Sequence, residues 1–175
     1  MGNLCTVLDG TPPEAPAARM DRIIAAGGLT VTIEAMLNHP VLKKDELSFP
    51  ADCEPDDVIR HGLHLLFKMT HEYAPGHEER RVTLRKAGVL QALVPVVAAF
   101  AKAEIEAGMK PGVFSTVGLA HDIMIHLVGT ERLNACCKGE DPLSDMLTEE
   151  DMMVLVGTME KPGFFCMYKA CAARA

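Results

Sequence analysis

Apolar residues recur along this chain at helical spacing, in blocks cut apart by glycine and proline. Thr11-Pro12-Pro13-Glu14-Ala15-Pro16 is a breaker, after which Ala17 to Ala26 reads as a short helix that stops at Gly27-Gly28. A second helix carries Leu29, Ile33, Met36 and Leu37 and ends at Asn38-His39-Pro40, and Val41 to Pro55 reads as an exposed loop. Asp56 and Asp57 sit where a helix start favours negative charge, and Val58, Ile59, Gly62, Leu63, Leu66 and Met69 then form one apolar face as far as Pro75-Gly76. The same three-part order returns as His77 to Ala87, a break at Gly88, a helix through Leu90, Val94 and Val97 towards Ala107, and a third helix from about Val113 to Val128. Pro95 falls near the first turns of the long middle helix and predicts a kink there. Beyond Gly129 the pattern weakens: Thr130 to Lys138, then a helix capped by Thr148 that carries Met152, Met153, Leu155 and Val156, then Phe164 to Ala173 as a closing helix.

The order is a repeat. Arg19, Ile23, Ala26, Gly27, Leu29, Ile33 and Met36 are matched 61 positions later by Arg80, Leu84, Ala87, Gly88, Leu90, Val94 and Val97. Gly62-Leu63 returns as Gly118-Leu119 after 56 positions, so the third helix keeps a looser register. The chain reads as one domain over 1–175, with a partial unit at about 1–12, full units at 17–74 and 77–129, and a degenerate one at 130–175. Helical units stacked in this way bury a shared core and end in atypical copies.

Composition sharpens the picture. With 49% hydrophobic residues, 11 Met, 5% aromatics and no Trp, the core suits Leu, Met, Val and Ala helices better than a β-sandwich. The formal charge of −7 comes without any Lys/Arg run to neutralise phosphates, so no nucleic-acid partner is expected. No apolar run reaches ~18 residues, no cleavable secretory signal is visible, and a cytoplasmic location is expected. The six cysteines form no Cys-x-x-Cys pair and read as reduced, mostly buried thiols.

The segments "RIIAAGGLTVTIEAML" (Arg22 to Leu37) and "LRKAGVLQALVPVV" (Leu84 to Val97) resemble the armadillo repeat, with the related HEAT-type repeat as a near alternative. The resemblance is strong over 17–37 and 78–129 and weak after 130. It implies an all-α, right-handed α-solenoid of about three repeats, with Gly27 and Gly88 as the breaks. It also implies a concave groove lined by the helices near 56–74 and 113–128, where a protein or peptide partner lies. The chain departs from the nuclear-import members of that family, which resemble one another in a ladder of groove Trp and Asn. There is no Trp here, and neither groove helix carries Asn.

On those two helices the candidate partner-binding residues are Arg60, His61, His64, Lys68 and His71, a polar and mildly basic stripe off the apolar face, together with Ser115, Asp122 and His126. The expected function is a non-enzymatic scaffold or adaptor that needs no cofactor and no metal. Two alternatives compete. Ala120-His121-Asp122-Ile123 looks like the His-Asp doublet of metal-dependent HD-type phosphohydrolases, which are also helical and hold a divalent ion between imidazoles and carboxylates. The upstream His and downstream Asp that such a site needs stand at poor spacing. Met1-Gly2-Asn3-Leu4-Cys5-Thr6 fits an N-myristoylation pattern, with Gly2 as acceptor and Cys5 available for a second acyl chain, so membrane contact is expected only for an acylated form of the adaptor. Otherwise Gly2-Asn3-Leu4 resembles the tail of a repeat.

Overall fold

The structure is a computed structural model that describes residues 14–44, 47, 58–72, 75–107, 115–137, 140 and 143–159. Among them the chain is all-helical. The helices are α1 (Glu14–Ala25), α2 (Gly28–Leu37), α3 (Val58–Thr70), α4 (His77–Lys86), α5 (Val89–Glu106), α6 (Thr116–Val128), α7 (Thr130–Cys137) and α8 (Glu149–Met159). Helix α1 starts three residues before the expected Ala17 and takes in Pro16. Proline is tolerated there because the first-turn N–H groups have no intrahelical acceptor to lose.

The repeat is visible in the backbone. Gly27 and Gly88 both adopt φ +79°, a left-handed conformation that β-carbon sterics make costly for other residues. The hydrogen bonds around them match in register. Ala26 N–H donates to Arg22 O and Gly27 N–H to Ile24 O; 61 residues on, Ala87 N–H donates to Thr83 O and Gly88 N–H to Arg85 O, all at 3.0–3.1 Å. Val31 to Gly27 O and Ala92 to Gly88 O complete the pair. This break turns α5 by 75° from α4, which lets a short helix lie across a longer one.

Packing follows the same order. Within a copy, α1 lies on α2, α2 on α3, α4 on α5 and α5 on α6. Between copies, like meets like: α2 packs on α5, α5 on α8, and α3 on α6. Helix α5 therefore carries apolar residues around most of its circumference, with Leu93, Val96, Phe100 and Ala101 fully buried, and it runs on through Pro95. Helix α3 brings Ile59, Leu63, Leu66 and Met69 to the same core, and α6 adds Leu119, Ile123 and Leu127. The approach of α3 to α2 depends on Gly62. A β-carbon there would stand 2.7 Å from Met36 Cγ and closer still to its sulfur, so only glycine admits the Met36 side chain.

Two expectations change. The stretch after Pro40 is not wholly exposed, because Pro40–Lys43 forms a 3₁₀ turn whose Val41 is buried against the core. In α8, Leu155 is buried but Met153 is 66% exposed, so Met153 does not belong to the apolar face. The N-terminus of that helix is as expected, a reciprocal cap in which Thr148 Oγ1 accepts from Asp151 N–H while Asp151 Oδ2 accepts from Thr148 N–H and Oγ1–H. The closing helix expected over 164–173 lies outside the described residues. No single described helix is long and apolar enough to cross a membrane.

Candidate functional site

The seam between α3 and α6 is where the candidate residues gather. On α3 His61, His64 and Lys68, with His71 just past its last residue, are half-buried at spacings of three and four, a narrow stripe beside the core face. On α6 Asp122, Ile125 and His126 are half-buried, on a helix that is otherwise nearly all interior. The seam closes at its C-terminal end. The rings of Phe67, His71 and His126 form a trio with centroids 5.1–5.4 Å apart, His71 edge-on to both others. Thr70 Oγ1 lies 3.0 Å from Phe67 O and 2.9 Å from His126 Nδ1. A hydroxyl has one proton. It goes either to Phe67 O or to His126 Nδ1, and the His126 tautomer sets which.

Burial and neighbouring cations act on the titratable groups of this seam. The His126 imidazole is held down at about 4, first by burial, then by the charges of Arg81, His71 and His77. His64 is also lowered, by burial and then by Arg60, His61 and Lys68. Asp122 is raised by burial.

Helix α4 fixes the C-terminal ends of both α3 and α6 with three arginines. Arg80 Nε donates to Met69 O at 3.3 Å, its other nitrogens reach Pro75 O and Asp21 Oδ1, and Arg81 Nε donates to Thr70 O at 2.8 Å. Arg85 Nη1 donates to Leu127 O at 2.7 Å. The last carbonyls of α3 and α6, which no intrahelical N–H can satisfy, are thus capped by cations placed where the helix dipole favours them. Sequence reasoning missed these arginines, together with Phe67 and Thr70. Phe67 could have been found, since it falls on the stripe between His64 and His71. The arginine pairings span 11 or 42 residues and leave no local signal.

Two candidate residues move out of the site. Arg60 is 9% exposed and belongs with the buried residues of α3, because α3 is packed by α2, α4 and α6 and the core face is wider than one stripe of alternating residues implies. Ser115 is 1% exposed and faces no groove. It caps α6, its Oγ accepting from Gly118 N–H at 2.9 Å and donating to Glu104 Oε2 at 2.6 Å. Glu104 also accepts from Thr116 N–H and Val117 N–H, which makes it the anion at the start of α6.

The His-Asp doublet is split by burial. His121 is 5% exposed and its imidazole is held down to about 4 by burial, while Asp122 is half-buried with its Oδ1 4.0 Å from His121 Nδ1. Among the described residues no three His, Cys, Asp or Glu side chains stand close enough together to hold a metal ion. Gly2 and Cys5 lie outside the described residues. Comparison of the chain with protein-family models, with curated proteins and with solved structures finds no match.

Proposed function

We propose that this chain is a small armadillo-like right-handed solenoid, working as a scaffold that holds a protein or peptide partner along the face made by α3 and α6. The observation that carries this reading is the stacking of like on like, α2 on α5, α5 on α8 and α3 on α6, with the glycine breaks in the same backbone state. Such stacking sets the third helices side by side, as groove helices are in the repeat the sequence resembles. Their outward residues, His61, His64, Lys68 and His71 with Asp122 and His126, are polar and half-buried, which suits a surface that positions a second chain. A scaffold of this kind performs no chemistry, needs no metal or cofactor, and acts in the cytoplasm.

The test is cross-linking capture with the parent and with a His64→Glu, Lys68→Glu double variant. Both positions are half-buried, whereas Arg60 is unsuitable because a glutamate there would carry charge into the core. Partners bound through this face are lost from the variant while its circular dichroism and melting stay close to the parent's. A folded variant that captures the same partners with the same yield overturns the assignment. Metal analysis runs beside it: a stoichiometric divalent ion, lost on His121→Ala together with a phosphohydrolase activity, makes the chain an HD-type enzyme instead.

A further inference from the structure

Among the described residues the row of second helices, α2–α5–α8, is open at both ends. Helix α5 has the kinds of neighbour that α2 has: its own first and third helices and the second helix of the following copy. It also has α2 and the turn Pro40–Lys43 from the copy before it. Burial records the difference. Val31 and Ala35, one turn apart on α2, correspond 61 positions later to Ala92 and Val96 on α5. Ala92 and Val96 are 3% and 0% exposed, whereas Val31 is 62% exposed and Ala35 is half-buried. The side of α2 that a preceding second helix would cover therefore meets water with an apolar stripe, and Leu37 is exposed as well. At the other end, α8 buries Leu155 and Thr158 on one side. Its opposite side carries Glu150, Met153, Val154 and Gly157 at spacings of three and four, all exposed. A β-carbon at Gly157 would meet nothing within 4 Å, so another helix can approach closely there.

We infer that these two ends fit each other, so that copies of this chain join head to tail, the outer side of α8 in one copy packing on Val31 and Ala35 of α2 in the next. The row itself names the occupant. What α2 lacks, compared with α5, is a second helix from a preceding copy, and α8 is a second helix whose outer side is uncovered. The contact between copies repeats the one already made twice within the chain, where α5 follows α2 and α8 follows α5. A terminal unit that closes an array carries a polar outer face, whereas these two present Val31, Leu37, Met153 and Val154. Ala35 and Gly157 are small enough to let the two helix axes come together, and Met153 with Val31 supplies apolar surface to bury. Because the two faces differ, the contact is heterologous, and each copy added leaves one face of each kind free unless the rotation closes a ring. None of the residues of the α3–α6 face takes part, and the test needs no partner, so this inference stands or falls apart from the scaffold reading.

The experiment is analytical ultracentrifugation of the purified full chain from about 10 µM to about 1 mM, a range that reaches the weak affinity of a small interface. The parent's mean mass rises with concentration above that of one chain. Val31→Glu blocks one face and Met153→Glu the other; both positions are exposed, so each variant keeps the parent's circular dichroism, and each alone stays monomeric. Mixed in equal amounts the two variants pair and grow no further, because Val31→Glu keeps an intact α8 face and Met153→Glu an intact α2 face. The inference is overturned if the parent stays monomeric throughout, if either variant alone associates as the parent does, or if the mixture is no heavier than its components.

Discussion

Replacing Glu104 with alanine removes the one carboxylate that holds the start of α6. Its two oxygens accept from Ser115 Oγ at 2.6 Å, Thr116 N–H at 2.6 Å and Val117 N–H at 3.2 Å, in a site only 1% exposed. Hydrogen bonds to a charged acceptor are worth about 1.5–3 kcal/mol each, and the orphaned donors would have no water to turn to. Against this stands the cost of keeping the carboxylate dry, which outweighs those hydrogen bonds and leaves its pKa raised from 4.5. The balance is a loss of about 3 kcal/mol for Glu104→Ala, and about half that for Glu104→Gln, whose carbonyl keeps one amide satisfied. With a urea slope of about 2 kcal/mol per molar, the unfolding midpoint of the alanine variant should fall by about 1.5 M. The pH dependence has a definite sign. A carboxyl with a raised folded pKa lends stability that is present below 4.5 and is lost as pH rises through the folded value, so the parent's advantage over Glu104→Gln should narrow above about pH 4.5. An alanine variant that loses less than ~1 kcal/mol would refute the claim that this anion anchors α6.

The remaining predictions concern the core and one imidazole. Leu63→Ala, at a side chain with no exposed surface, should cost about 2–5 kcal/mol in denaturant unfolding, and parent-like melting would contradict the packing of α3. Gly62→Ala should cost about 1–3 kcal/mol because its β-carbon meets Met36, and Met36→Val in the same chain should recover part of that loss. His121 is lowered to about 4, so its contribution is complete above 6.5 and is lost as pH falls towards 4, up to about 3 kcal/mol. His121→Phe should melt with a correspondingly flatter acid limb, and an unchanged limb would contradict the burial of that ring.

The elements carried by local chemistry could be read from the sequence. Gly27 and Gly88 mark the breaks because only glycine takes φ +79° cheaply, and Thr148 with Asp151 marks a helix start because the two residues cap each other. What could not be read was set by the number of neighbours a helix has. Arg60 looks like part of a polar stripe until α2, α4 and α6 are all packed on α3, and Met153 looks apolar-facing until α8 is seen to bury Leu155 instead. Ser115 reads as a groove residue from its neighbours in sequence, yet as the N-cap it points at Glu104, 11 residues back. Of the candidate site, the stripe on α3 follows from helix spacing, while the pairing of His71 with His126 and the arginine clamps follow from tertiary approach alone.

The proposed binding face exists only where the third helices of successive copies lie side by side. It is tested most directly by proton nuclear Overhauser effects between the Phe67 and His126 rings, whose centroids are 5.4 Å apart although the residues are 59 positions apart in sequence. Cross-peaks joining these two rings, with matching ones from His71 to His126, are the predicted result. A fully assigned spectrum in which neither His71 nor Phe67 shows a contact to His126 would contradict the stacking of α3 on α6, and with it the face proposed to hold the partner.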